Sequence, residues 1–106
     1  MADIENARIR STFLGIEDHG LFATSLGLAG DGWGQSWGPF NTPPSKTSHQ
    51  FLKKIIEVVG VTSWEELPGK YVRIRRRDGL IKAIGNLMED VWLDAGEFWK
   101  DNNKGE

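Results

Sequence analysis

The chain contains no cysteine. Disulfides, thiolate chemistry and cysteine-built zinc sites are therefore excluded, and stability has to come from packing or assembly. No apolar run approaches the roughly 18 residues needed to cross a bilayer as a helix. The N-terminal MADIENARIR has no apolar core of a secretory signal, so a cytoplasmic protein without membrane contact is expected. An excess of positive charge is also missing. Thirteen Lys and Arg stand against 15 Asp and Glu, for a net charge of −2, which predicts no general attraction to nucleic acid and confines any polyanion site to a local patch. What is present is enough for one modest core: 106 residues, 39% of them hydrophobic, with five tryptophans, read as a single folded domain.

The most distinctive segment is LAGDGWGQSWGPFN, residues 28–41. Gly30, Gly32, Gly34 and Gly38 allow positive φ and close backbone approach, while Trp33, Trp37 and Phe40 offer flat apolar faces. Two readings stand side by side. The aromatics build a stacking pocket, with Gln35 among them, or they fold back and cover one end of the core.

Along the chain, residues 9–16 and 21–28 flank Glu17-Asp18-His19-Gly20 and alternate as a β-hairpin does. Residues 29–46 read as a long irregular loop, since Pro39, Pro43 and Pro44 exclude a helix there. Thr47-Ser48-His49-Gln50 has capping-box spacing, and Phe51, Leu52, Ile55, Ile56 and Val59 recur at helical intervals until Gly60, which predicts a helix over 48–59. Ser63-Trp64-Glu65-Glu66 starts a turn that Pro68-Gly69 stops. Residues 71–77 and 80–88 flank Asp78-Gly79, the dipeptide of a type I′ hairpin turn. Val91-Trp92-Leu93 adds a short strand or covers the sheet, and 101–106 is a polar tail. The expected fold is α+β, an antiparallel sheet of two β-hairpins in ββαββ order packed on one main helix.

A two-residue turn at Asp78-Gly79 sets Arg75 opposite Lys82, Ile74 opposite Ala83 and Arg73 opposite Ile84. Val72, Ile74, Ile81, Ala83 and Gly85 then share an apolar face. Tyr71, Arg73, Arg75, Arg77, Lys82 and Asn86 share a cationic one. Arg75 across from Lys82 is unfavourable unless an anion or local carboxylates answer it. Glu65, Glu66, Glu89 and Asp90 offer such carboxylates, and a charged strand face is commonly just solvated. The functional reading is an anionic, nucleotide-like ligand. Guanidinium groups grip phosphate bidentately, Asn86 reads a base edge, and the Trp33 to Phe40 segment stacks.

Catalysis finds little footing. His19 beside Glu17 and Asp18 fits a local turn contact better than a general base, and His49 has no ligand spacing to it. Ser11, Ser25, Ser36 and Ser63 lack a nucleophile elbow, and Pro43-Pro44 breaks the link from glycine loop to helix that a phosphate-binding NTPase loop needs. No enzyme activity, cofactor or metal is expected.

With these residues in view, the chain resembles a family of small proteins encoded by phages and prophages. The likeness runs nearly end to end through LGIEDHG (14–20), Gly34-Gln35, EVVGV (57–61), WEELPGKYVR (64–73) and AIGN (83–86). Members carry more glycine and fewer tryptophans in the central segment, so Trp33, Trp37 and Phe40 depart from the pattern. Within such proteins it is similar to the anti-Thoeris sponges. That similarity implies a homo-oligomeric counter-defence protein in the host cytoplasm that sequesters a cyclic ADP-ribose-like or cyclic oligonucleotide signal without turnover. The alternative partner is a host defence protein, bound as an anti-CRISPR inhibitor binds, with the aromatic segment and arginines as hot spots. The expected ligand contacts are Trp33, Gln35, Trp37, Phe40, Tyr71, Arg73, Arg75, Lys82 and Asn86.

Overall fold

The structure is a computed structural model that describes residues 3–103. Strands β1 (Asp3–Ile16), β2 (Phe22–Gly30), β3 (Trp33–Asn41), β4 (Tyr71–Arg77), β5 (Leu80–Gly85) and β6 (Trp92–Asp94) form one sheet. Their order is β3-β2-β1-β4-β5-β6, and every neighbour pair is antiparallel. Helix α1 (Lys46–Val59) follows β3, and α2 (Ala95–Asn103) follows β6.

This corrects the ββαββ expectation. The domain is mostly β, with six strands in a curled half-barrel and two helices, because two segments without a strong strand signal pair nonetheless. Residues 29–46 are mainly not a loop. Asp31-Gly32 turns the chain between Gly30 and Trp33, and Trp33-Gly34-Gln35-Ser36-Trp37 alternates with period two, its large side chains all inward. At Gly38, with φ of 109°, a Cβ would lie 2.8 Å from the Thr24 carbonyl oxygen, so the sequence supplies glycine where β2 and β3 slip register. The second strand is β6, where a short partner suffices because α2 continues directly from it. Part of the expected polar tail, residues 101–103, belongs to that helix; residues 104–106 lie outside the described residues.

The core lies on the inner face. Ile9, Leu26, Leu28, Val72, Ile74 and Ile84 meet Phe51, Ile55 and Val58 of α1, all buried. The helix begins slightly earlier than its capping-box reading. Ser45, not Thr47, is the cap, its Oγ accepting the Ser48 N–H at 3.0 Å. It stops as expected at Gly60, whose N–H donates to the Ile56 carbonyl. Phe51 sits at the centre of an aromatic cluster, 5.9 Å from Trp37, 5.3 Å from Phe40 and 5.1 Å from Trp99 between ring centroids.

The hairpin at Asp78-Gly79 forms as read, with both turn residues at positive φ. Its register then departs from the ideal. A bulge between Arg75 and Arg76 sets Arg75 opposite Ala83, Ile74 opposite Ile84 and Arg73 opposite Gly85. Lys82 becomes the extra residue. The slip separates the like charges of Arg75 and Lys82 and brings Ile84 inward against Ile74, so burial decides the pairing. β5 ends at Gly85, short of residue 88, because Asn86 Oδ1 accepts the N–H groups of Met88 and Glu89 and turns the chain.

Candidate functional site

Both helices pack on the inner face; on the outer face Trp92 of β6 lies against Arg73 and Arg75 of β4, and among the described residues no helix lies over β1 and β2. Alternation in β1 sends Ala7 and Ile9 inward and Asn6 and Arg8 outward. Across the sheet, Arg8 stands between Ala29 of β2 and Tyr71 of β4, while Asn6 pairs with Arg73. Arg10 occupies the bulge where the β1–β2 register shifts between Ile9 and Ser11. Asn6, Arg8, Arg10 and Tyr71, together with Asp31 and Trp33 at the β2–β3 turn, rim an open hollow of about 610 Å³. A second hollow of about 290 Å³ adjoins it over Gly27, Gly34 and Ser36, and Arg10 stands on the border of both.

Electrostatics single out two of these groups. Among the described residues neither Arg8 nor Arg10 has an ion pair or hydrogen bond, although both are exposed on the same face. Tyr71 beside them is 57% exposed. Unpaired guanidinium groups next to an open aromatic ring can take a phosphate and a planar ring at once. Asn6 adds an amide that donates and accepts, and Asp31 adds an acceptor for hydroxyl groups.

The nine expected contacts do not come together. Trp37 is 2% exposed and belongs to the core with Phe40; Trp37 Nε1 has no hydrogen-bond partner among the described residues. These two rings answer the question the sequence left open: they cover the core. Gln35 also points inward, its Nε2 donating to the Gly79 carbonyl at 3.2 Å, which ties β3 to the β4–β5 turn and curls the sheet. Trp33 is half committed. Its Nε1 donates to Glu5 Oε1 at 3.0 Å and Arg76 lies 4.2 Å above its ring, yet its edge still reaches the larger hollow.

Farther along the outer face, Arg73 donates from Nε to the Asn86 carbonyl and from Nη2 to the Glu89 carbonyl, while Asn86 Nδ2 donates to the Val58 carbonyl. Both side chains are spent on holding the β5–β6 loop. Trp92 lies flat over Gly85, where a Cβ would come within 2.6 Å of its ring, and Arg73 and Arg75 stack on it at 4.8 and 4.4 Å. Lys82 is exposed at the β5 bulge and Tyr71 alone of the nine stands free beside the hollow. Sequence reasoning missed Asn6, Arg8, Arg10 and Asp31. The alternation Asn6, Arg8 against Ala7, Ile9 carries that signal, but the hairpin pattern reads as a strand only from residue 9.

His19 is a turn residue as read: its Nδ1 lies 3.0 Å from Glu17 Oε2. Glu17 is held below its ordinary pKa first by that contact and then by the Leu21 N–H. Among the described residues no helix is long and apolar enough to cross a membrane, and no three His, Asp or Glu side chains group as a metal site. No protein-family model, curated protein or solved structure matches this chain.

Proposed function

We propose that the protein binds an anionic, nucleotide-derived signal on the outer face of its sheet and holds it without turnover, as a phage counter-defence sponge. The observation that carries this reading is the pair of unpartnered arginines, Arg8 and Arg10, beside exposed Tyr71 over a hollow of about 610 Å³. That volume falls within the roughly 300–1,000 Å³ of small-ligand sites. Arg8 and Arg10 neutralise phosphate, Tyr71 stacks on a base, Asn6 reads its edge and Asp31 accepts from a ribose hydroxyl. The resemblance to phage-encoded proteins that sequester cyclic ADP-ribose signals supports the same ligand chemistry. It also supports the counter-defence role.

The test is retention and recovery. The protein is incubated with cyclic ADP-ribose isomers and with cyclic dinucleotides, filtered, washed and heated, and the released material is analysed. Intact ligand in stoichiometric amount is expected, with affinity falling as ionic strength rises, because exposed charge is screened over about 10 Å at 0.1 M salt. No retained ligand overturns the reading. Recovery of breakdown products would show an enzyme instead.

A further inference from the structure

A sheet must do something with its edges, since an edge strand offers unpaired main-chain groups to any passing chain. Here the two outermost strands are protected. β3 carries Pro39 and loses regular pairing near Gly38, and β6 is only three residues long and runs straight into α2. The exposed edge lies instead inside the sheet order. β1 pairs with β4 only over residues 3–8, and the chain leaves that lane at Gly69, whose N–H donates to the Ile9 carbonyl. β1 itself continues to Ile16, paired there with β2 alone.

The hydrogen-bond parity of that free stretch follows from its turn. Glu17 N–H donates to the Leu21 carbonyl, so in an antiparallel ladder Gly15 and Phe13 also direct their main-chain groups to β2. Thr12, Leu14 and Ile16 direct theirs away from it, into the lane beyond β4, whose near end is bordered by Trp64, its Nε1 donating to Thr12 Oγ1 at 3.1 Å. The side chains along this stretch are apolar and exposed: Phe13, Leu14 and Ile16, joined by Leu21 and Phe22 from β2, with Ile16 reaching 66% exposure. Ile16 and Phe22 also line an apolar groove of about 470 Å³ against Pro43, Pro44 and Leu52. No charge or proline interrupts residues 11–16.

We infer that a second copy of this chain fills the lane, β1 pairing antiparallel with β1 of the copy about a two-fold axis at Leu14. The outward-facing set Thr12, Leu14 and Ile16 is symmetric about Leu14, so in this register Thr12 of one copy meets Ile16 of the other and each edge satisfies its twin. The same placement brings the acidic tip, Glu17 and Asp18, up to the end of the lane, where Lys70 begins the run into β4 and has no ion pair among the described residues. Open main chain, exposed apolar side chains and opposite charges at the two ends of one lane thus point to the same occupant. The dimer carries two copies of the outer-face hollow and does not depend on what that hollow binds.

Two measurements on the full chain test this. Light scattering after gel filtration is expected to give twice 11.9 kDa, and Ile16→Lys, at a side chain already open to water, to give a folded monomer by circular dichroism. Leu14→Cys puts the only thiol of the chain on the axis. Paired residues there stand about 5.5 Å apart between Cα atoms, within the span of a disulfide. Mild oxidation should yield a covalent dimer for Leu14→Cys and none for Ser36→Cys on the β3 edge. A wild-type monomer throughout the micromolar range overturns the inference, as does a dimer indifferent to Ile16→Lys or one that cross-links through Ser36→Cys.

Discussion

On the inner face of the sheet, Trp37 and Phe40 of β3 pack with Phe51 of α1, 4.8 to 5.9 Å apart between ring centroids. On the outer face, Arg8 and Arg10 stand beside exposed Tyr71, neither with an ion pair or hydrogen bond among the described residues. β1 and β4 supply both surfaces, Ala7, Ile9 and Val72 facing the core and Arg8 and Tyr71 facing out, and the alternation of side chains separates them. The inward ring of Trp37 is spent on the core and the outward ring of Trp92 on Arg73 and Arg75, which leaves exposed Tyr71 available for recognition. Number of aromatics, which drew attention to residues 28–41, is a poorer guide to the site than which way one tyrosine points.

That contrast breaks most visibly in the core. Phe51→Ala removes the ring about which the cluster is built and is expected to cost about 3–5 kcal/mol, read as a lower urea midpoint, whereas Phe51→Leu, closer in volume, costs about 1 kcal/mol. Equal losses for the two variants would mean that the cluster is not close-packed. The outer face should respond in the opposite sense. Arg8→Ala and Arg10→Ala are each expected to change stability by less than about 0.5 kcal/mol while weakening nucleotide retention about 10- to 100-fold, the value of a charge-assisted hydrogen bond. A thermal unfolding scan and a binding isotherm on the same samples separate the two effects.

Between these extremes lies Trp92, stacked under Arg73 and Arg75. Trp92→Ala should cost about 1–2 kcal/mol of stability from two cation–π contacts and lost burial, with retention largely intact. If retention fell as far as in Arg8→Ala, the site would extend across β5. The smallest effect is a pH dependence. The Glu66 carboxylate accepts from the Thr62 hydroxyl, the Thr62 N–H and the Ser63 hydroxyl, and these bonds hold it below its ordinary value of 4.5. A carboxyl whose pKa is lower in the fold stabilises it above the unfolded value and ceases to do so as pH falls through the folded one. Unfolding curves of the wild type and Glu66→Gln should therefore differ near neutrality and converge in acid; a constant gap across that range would remove the carboxylate from the account.

Local signals were legible where one residue type forces one geometry. Asp78-Gly79 gave its turn and Gly60 ended α1; of the stripe Phe51, Leu52, Ile55, Ile56 and Val59, Phe51 and Ile55 are fully buried, while Val58, outside that reading, is buried in place of Val59. What escaped depended on pairing across distance. β3 alternates tryptophan with glycine, so composition suggested a loop although period two was present. The bulge at Lys82 shifts a register that a two-residue turn would otherwise fix, because burying Ile84 against Ile74 outweighs an unbroken ladder. Asn86 and Arg73 carry the right chemistry for a ligand, but main-chain groups of the β5–β6 loop claim them first. Arg8 and Arg10 became visible only once β1 was seen to begin at Asp3.

The most direct test of the outer-face site is a titration of the isotope-labelled protein with cyclic ADP-ribose followed by amide NMR. The account predicts shifts centred on Asn6, Arg8, Arg10, Asp31 and Tyr71, with the amides of Phe51 and Ile55 unmoved. Shifts centred on α1 and β3, or none at saturating ligand, would contradict it.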